Sequence, residues 1–389
     1  MRVPLLDLKA HNAPLKAELM AAVEEVVDSC GFIMGPKVEA FEKEAAAYLG
    51  VKHAIGVSSG TDALLVALMA CGIGPGDAVI TTDFSFFATA GAVSRLGARP
   101  FFTDINPVTY NMDVESARAA IEMAKSAGYR PKAIIPVHLY GQSADMKAIM
   151  ALAAETSLAV IEDAAQAIGV RYPVDGHPQG LCVGAIGDMG CFSFFPSKNL
   201  GCFGDGGLVT TQSDALAEKI RILRAHGSRP KYYHAIIGGN FRLDALQAAV
   251  LSVKLPLLDQ WHANRRRNAA RYREMLQQTK AVSDGWIQLP VDVYDGLVPH
   301  SHIYNQFVIR VDRRDELKEY LKDNGVGTEI YYPVPFHRQI CFADLAYPAE
   351  AFPESDKAAA ETLALPIYPE LTQEMQDHVV GAIDSFYSK

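Results

Sequence analysis

The chain has 389 residues, room for two domains at about 150 residues each. Hydrophobic residues make up 49% and charged residues 21%, the composition of a packed globular protein and not of a disordered one. A net charge of -9 with Lys and Arg scattered along the chain argues against nucleic acid as the main partner, and no run reaches the ~20 apolar residues of a membrane span.

The opening Met1-Arg-Val-Pro-Leu-Leu-Asp7 has too short an apolar run for a signal peptide. From about residue 50 to 212, short apolar runs alternate with helical patterns. The expected strands are His53–Val57, Ala78–Thr82, Arg99–Asp104, Ala133–His138, Ala159–Glu162, Gly190–Phe195 and Gly207–Thr211. Helical patterns such as Asp62–Cys71 and Asp145–Glu155 lie between them. Near-continuous Val, Ile, Phe and Ala mark strands buried on both faces, so the alternation predicts an α/β domain with a mostly parallel sheet flanked by helices. A long helical pattern runs from Leu243 to about Gln278, and Pro256 should kink it by removing a backbone donor. The domain boundary is expected there, giving a large domain over 1–255 and a smaller α+β domain over 256–389. The smaller one should hold strands at Tyr304–Val311 and Thr328–Tyr332 and helices at Asp315–Asn324, Ser355–Leu363 and Thr372–Phe386. Six cysteines (Cys30, Cys71, Cys182, Cys191, Cys202, Cys341) show no C-x-x-C pair and no His/Cys metal spacing. They read as reduced thiols of a cytoplasmic protein, and no metal is expected.

Several residues on this frame carry chemistry. Val57-Ser-Ser-Gly60-Thr61-Asp62 joins a strand to a helix. Gly60 permits close approach of a ligand, and the helix N-terminus suits a phosphate. The competing reading is a plain capped helix with Ser59, Thr61 or Asp62 as cap. Phe84, Phe86 and Phe87 follow another strand end, where one could stack on a flat ring or all could fill the core. Asp163 ends the run Ala159-Val-Ile-Glu162, at the strand end where ligands of α/β sheets bind. It could pair with a pyridinium nitrogen or cap the segment Ala164-Ala-Gln166-Ala. Glu162 should face the other side of the sheet. Ser193 could add a hydroxyl to the phosphate, or be a half-buried strand serine. Lys198 lies among aromatics and glycines in Cys191-Phe-Ser-Phe-Phe-Pro-Ser-Lys198-Asn-Leu-Gly-Cys-Phe-Gly-Asp-Gly-Gly207. Desolvation would lower its pKa from ~10.4 and free the amine to attack an aldehyde. The competing reading is a surface loop lysine, which its Phe neighbours disfavour. An imine-forming lysine with a ring-nitrogen carboxylate and a phosphate end describes a site for pyridoxal 5'-phosphate (PLP), hence amino-group chemistry on a carbonyl.

These pieces occur in one order with Val3-Pro-Leu-Leu-Asp-Leu8, Gly31-Phe-Ile-Met-Gly-Pro36, Val137-His-Leu-Tyr-Gly-Gln142, Gly239-Asn-Phe-Arg-Leu-Asp244 and Tyr331-Tyr-Pro-Val-Pro-Phe-His337. Nearly end to end, the chain resembles the DegT-type nucleotide-sugar aminotransferases of the fold type I superfamily. The resemblance implies that Lys198 binds the cofactor and shuttles the proton, that Asp163 pairs with the ring nitrogen and that Gln166 contacts the ring hydroxyl. Phe86 would stack on the ring, and Gly60, Thr61 and Ser193 would hold the phosphate. Asn240 would reach the phosphate from the partner subunit of a homodimer. Its plain alternative is a helix N-cap. Arg229, Tyr331, Tyr332 and His337 would lie in loops near the sugar nucleotide. The text around Lys198 looks most like members acting on 3-keto sugars. A UDP-linked N-acetylhexosamine or hexuronate leads, ahead of dTDP-linked 6-deoxy sugars and 4-keto sugars. Glutamate is the implied amino donor, and surface glycan biosynthesis the implied setting. Some relatives carry histidine in place of the lysine and act as sugar dehydratases, a lyase reading that Lys198 opposes. A non-enzymatic PLP-binding regulator would need an appended domain for which the chain has no spare length. Tyr172–Cys182 departs from the family by looking like an extended surface turn rather than a short hairpin.

Overall fold

The computed structural model describes residues 1–388. Its seven-stranded sheet is built from β1 (His53–Val57), β2 (Asp77–Thr82), β3 (Arg99–Thr103), β4 (Arg130–Ile135), β5 (Ala159–Asp163), β8 (Met189–Ser193) and β9 (Gly207–Thr211). The hairpin strands β6 (Arg171–Val174) and β7 (His177–Cys182) interrupt that series in the chain. The spatial order is β1-β9-β8-β5-β4-β2-β3, and β9 alone runs against its neighbours. Side chains alternate across the sheet. Ala54, Ala78, Ile80, Ile134, Val160 and Leu208 join one apolar core. Ile55, Val57, Val79, Ile135, Ile161 and Val209 join the core on the other face. Both faces are covered by helices, which is why the strands read as continuous apolar runs.

A second sheet, β10 (Ile287–Gln288), β11 (Phe307–Val311) and β12 (Thr362–Leu365), is antiparallel in the order β10-β11-β12. Its core joins Tyr272, Phe307, Ile309, Leu317, Leu363, Val379 and Ile383, and takes in Val3 from the N-terminus. The long helical pattern breaks at a short turn over Leu255–Leu257, where Pro256 sits, between helices Ala245–Lys254 and Leu258–Gln277. The second helix serves both cores. Leu258 and Trp261 pack into the first, and Ala269, Tyr272 and Leu276 into the second. We propose that the division into 1–255 and 256–389 falls at this turn, with Val3 reaching across it.

Three expectations need correction. Thr328–Tyr332 is no strand and forms only an isolated bridge, Glu329 to Ala364. The helix expected over Ser355–Leu363 is Pro353–Glu361, because residues from Thr362 onward pair with β11. Residues 172–182 form an ordered hairpin in which Val174 pairs with His177 across Asp175-Gly176, and none of its residues lines the cavity described next.

Candidate active site

A cavity of about 590 Å³ opens at the carboxyl ends of the parallel strands. Beyond β1, helix Gly60–Ala70 points its N-terminus into it. Ser59 caps this helix, accepting from the Asp62 N–H at 3.0 Å, and Ser58 Oγ donates to the Asp62 carboxylate at 2.6 Å. The N–H groups of Gly60 and Thr61 have no intrahelical partner by helix geometry and remain available to an anion. A Cβ on residue 60 would stand 2.6 Å from Ser193 Cβ, so only glycine lets the helix end lie against β8 beside the Ser193 hydroxyl. Capping and phosphate binding are thus compatible, because the cap uses Ser59 and leaves the first N–H groups free.

Asp163 ends β5 and is 5% exposed. Its carboxylate accepts from Thr89 Oγ1 at 2.8 Å and from the Ala165 N–H at 3.2 Å. Burial pushes its pKa up, while the Thr89 and Ala165 hydrogen bonds and the Lys198 charge oppose that rise. The segment after it is a turn and not a helix, so Asp163 is no helix cap. Glu162 faces the other side and accepts from His138 Nε2 (2.9 Å) and from the N–H groups of Gly184, Ile186 and Gly187. It pins a turn and stays away from the cavity. Gln166 lines the cavity with both amide ends engaged. Its Oε1 accepts from the Tyr140 N–H at 2.7 Å, and its Nε2 donates to the Tyr332 hydroxyl at 2.9 Å. Phe86 is 57% exposed on the cavity wall, whereas Phe84 is fully buried in a core.

Lys198 follows β8 through a tight turn in which its N–H donates to the Phe195 carbonyl at 2.8 Å. Phe192 and Phe194 anchor this segment in the core, while Phe195 and Phe203 are about half exposed. The lysine side chain lines the cavity. Desolvation pulls its pKa down to about 8, with Asp163 acting the other way. A surface-loop lysine would not behave this way: the side chain is half-buried, and desolvation outweighs the pull of Asp163 so that the amine is easily made neutral.

Lys198, Asp163, Gln166, Ser193, Gly60, Thr61, Phe86, Tyr331 and Tyr332 all meet at this one cavity. Three expected residues do not. His337 is buried away from it, its Nδ1 2.6 Å from Asp83 Oδ2 and its N–H bonded to the same carboxylate. Arg229 is exposed and ion-paired with Glu218. Asn240 is exposed and accepts from Arg242 Nε at 2.9 Å, which leaves the helix N-cap position to Asp244. The sequence reading missed Thr89, which no spacing ties to a carboxylate 74 residues away. It also missed Arg265, a buried cavity-lining residue whose guanidinium holds the carbonyls of Tyr304 and Ile367.

The residues present fit PLP. A helix N-terminus with a serine hydroxyl suits a phosphate, a strand-end carboxylate suits a ring nitrogen, and a desolvated amine suits an aldehyde. A fold and site of this kind suit an enzyme that does amino-group chemistry through PLP. Over residues 14–384 the chain matches, and belongs to, the DegT/DnrJ/EryC1/StrS aminotransferase family, which is PLP-dependent. It is 50% identical to a pleiotropic regulatory protein of Geobacillus stearothermophilus, covering 100% of this chain and 99% of that one. It is 44% identical to a UDP-N-acetyl-3-dehydro-alpha-D-glucosamine 3-aminotransferase of Acidithiobacillus ferrooxidans, covering 98% and 97%. It is 42% identical to a dTDP-3-amino-3,4,6-trideoxy-alpha-D-glucose transaminase of Streptomyces venezuelae, covering 98% and 95%. Among solved structures, DesV of S. venezuelae in complex with a ketimine intermediate superposes with a TM-score of 0.91 at 41% identity, covering 100% and 99%. The protein is a nucleotide-sugar aminotransferase.

Proposed function

We propose that the protein aminates the keto carbon of a UDP-linked 3-keto N-acetylhexosamine or hexuronate, with glutamate as amino donor. The observation that carries the chemistry is the desolvated Lys198 amine coupled to Asp163 in one cavity. The observation that favours the sugar is the 44% identity, over nearly the whole of both chains, to an enzyme named for a UDP-linked 3-dehydro sugar. PLP, when bound, supplies an electron sink. In our reading Gly60, Thr61 and Ser193 hold its phosphate and Phe86 stacks on the ring. Asp163 keeps the ring nitrogen charged, and the Gln166 amide hydrogen not spent on Tyr332 serves the ring hydroxyl. Lys198 would hold the cofactor through its aldehyde carbon, and its free amine would hold and move the proton at the substrate carbon, a task that suits an amine titrating near neutrality. Tyr331 and Tyr332 form the sugar wall. Arg229 and Asn240 complete a site from exposed positions, Asn240 across a homodimer interface. His337 acts behind the wall by holding Asp83. Six unpaired cysteines support the cytoplasm as the setting.

A dTDP-linked 3-keto-6-deoxy sugar is the second reading, supported by the S. venezuelae transaminase at 42% identity. A regulatory role has the printed name of the Geobacillus relative behind it, but the family matched over residues 14–384 is one of aminotransferases. The test is a panel of UDP- and dTDP-linked 3-keto and 4-keto sugars incubated with glutamate and the loaded enzyme, read by mass spectrometry. Conversion of the UDP-linked N-acetylated 3-keto sugars well ahead of the others is expected. Preference for a dTDP-linked sugar moves the assignment to the second reading, and preference for a 4-keto sugar overturns both.

A further inference from the structure

We propose that Asp259, His262 and His300 form a binding site for one divalent transition-metal ion, zinc foremost, apart from the sugar site. Asp259 and His262 are three residues apart near the start of helix Leu258–Gln277, a spacing that puts both on one helix face. His300 arrives from a loop whose backbone is tied to the hairpin, its carbonyl accepting from the Arg171 N–H at 3.2 Å. One donor atom from each of the three lies within 4.8 Å of the others, and His300 Nδ1 is 3.6 Å from Asp259 Oδ1. Zinc with ligands at about 2.05 Å needs donors roughly 3.3 Å apart, a closure within the reach of side-chain rotation.

The independent sign of a ligand is His262. It is 0% exposed, and neither ring nitrogen has a hydrogen-bond partner. An imidazole buried with both nitrogens unpaired is costly, and a metal bond would relieve it. The surroundings suit the role. Tyr48 donates to Asp259 Oδ1 at 2.7 Å, which orients the carboxylate and leaves Oδ2 free. A Cβ on Gly169 would stand 2.4 Å from the Tyr48 hydroxyl and 3.0 Å from the His262 ring, so glycine keeps the space open. Two histidines and a carboxylate are a borderline-soft set that selects zinc, cobalt or nickel over magnesium or calcium. None of the three residues lines the active-site cavity, but Arg265 on the same helix and Asn305 beyond the same loop do. The ion would clamp the helix to the loop behind that wall.

The test uses untagged, PLP-loaded enzyme, treated with chelator and then equilibrated with micromolar zinc chloride, with metal per chain measured by plasma mass spectrometry. One tightly held zinc per chain is expected. His300→Ala and, separately, Asp259→Asn should weaken binding by roughly tenfold or more. Cobalt chloride should give visible absorbance in the wild type that both variants lose. The two variants change partly or largely exposed side chains, and their melting temperature in chelator checks that they fold. Wild-type zinc content equal to that of both folded variants, or well below one ion per chain, overturns the site.

Discussion

At the scale of single residues, the site rests on what burial does to charge. Lys198 has a pKa of about 8 in the folded protein against its ordinary 10.5. The unfolded chain therefore binds more protons between those values, and the apoprotein should gain stability as pH rises from about 8 to 10.5. Below about 8 the amine is charged in both states and the full cost of burying it is felt. Denaturant titrations across this range should show the wild type gaining stability over Lys198→Met, and parallel curves would refute the buried amine. The rate at which apoprotein captures PLP should also climb about tenfold per pH unit and level off above pH 8, not 10.5. Stopped-flow absorbance reads this directly. Lys198→Ala should still bind PLP noncovalently through the phosphate and ring contacts while losing transamination by many orders of magnitude. Borohydride treatment of the loaded wild type should leave the pyridoxyl group on Lys198 in a peptide map, and a label on another lysine would sink the assignment. Asp163→Asn keeps the shape and removes the charge. PLP should bind more weakly, and reaction with glutamate should slow on the order of 10²–10³-fold, as when one preorganised electrostatic partner is removed.

At the scale of elements, the contact of helix Gly60–Ala70 with β8 decides the phosphate end. Gly60→Ala puts a Cβ 2.6 Å from Ser193 Cβ, so the helix end or the strand must shift. Overpacking of this kind costs about 1–3 kcal/mol, and PLP affinity should fall roughly five- to 150-fold with it. Fluorescence titration of the apoprotein measures the change. Wild-type affinity in Gly60→Ala would mean the phosphate does not sit at this helix end. Elements also mark where local patterns mislead. Thr328–Tyr332 reads as a strand, yet it joins the sheet only through the Glu329–Ala364 bridge at the free edge of β12, and β12 itself takes in residues read as the end of a helix. At Thr362 and Leu363 pairing with β11 overrides the helical pattern, as tertiary context does for short segments.

At the scale of the whole molecule, the open question is the second subunit. Asn240 is exposed on this chain and does not line its cavity. If it completes the phosphate site of a partner, mixing inactive Lys198→Ala with inactive Asn240→Asp chains should restore activity, with up to one intact site per hybrid dimer. If both residues belong to one subunit's site, every site in a hybrid carries a lesion. Differently tagged chains verify the exchange, and verified hybrids without activity would refute the shared site. The strands of the main sheet were legible from sequence as continuous apolar runs, although β4 runs over Arg130–Ile135 and not Ala133–His138, and β8 over Met189–Ser193 and not Gly190–Phe195. Asp163, Ser193 and Gly60 were candidates because each sits at a strand end or a helix start, and Lys198 because aromatics and glycines flank it in the turn after β8. Tertiary structure alone decided that Thr89 steadies Asp163, that His337 turns from the cavity to Asp83, and that His300 meets Asp259 and His262. Those pairings join residues far apart in the chain through the crossing of elements. Local periodicity carries no trace of them, because it records which face a residue takes and not what stands opposite.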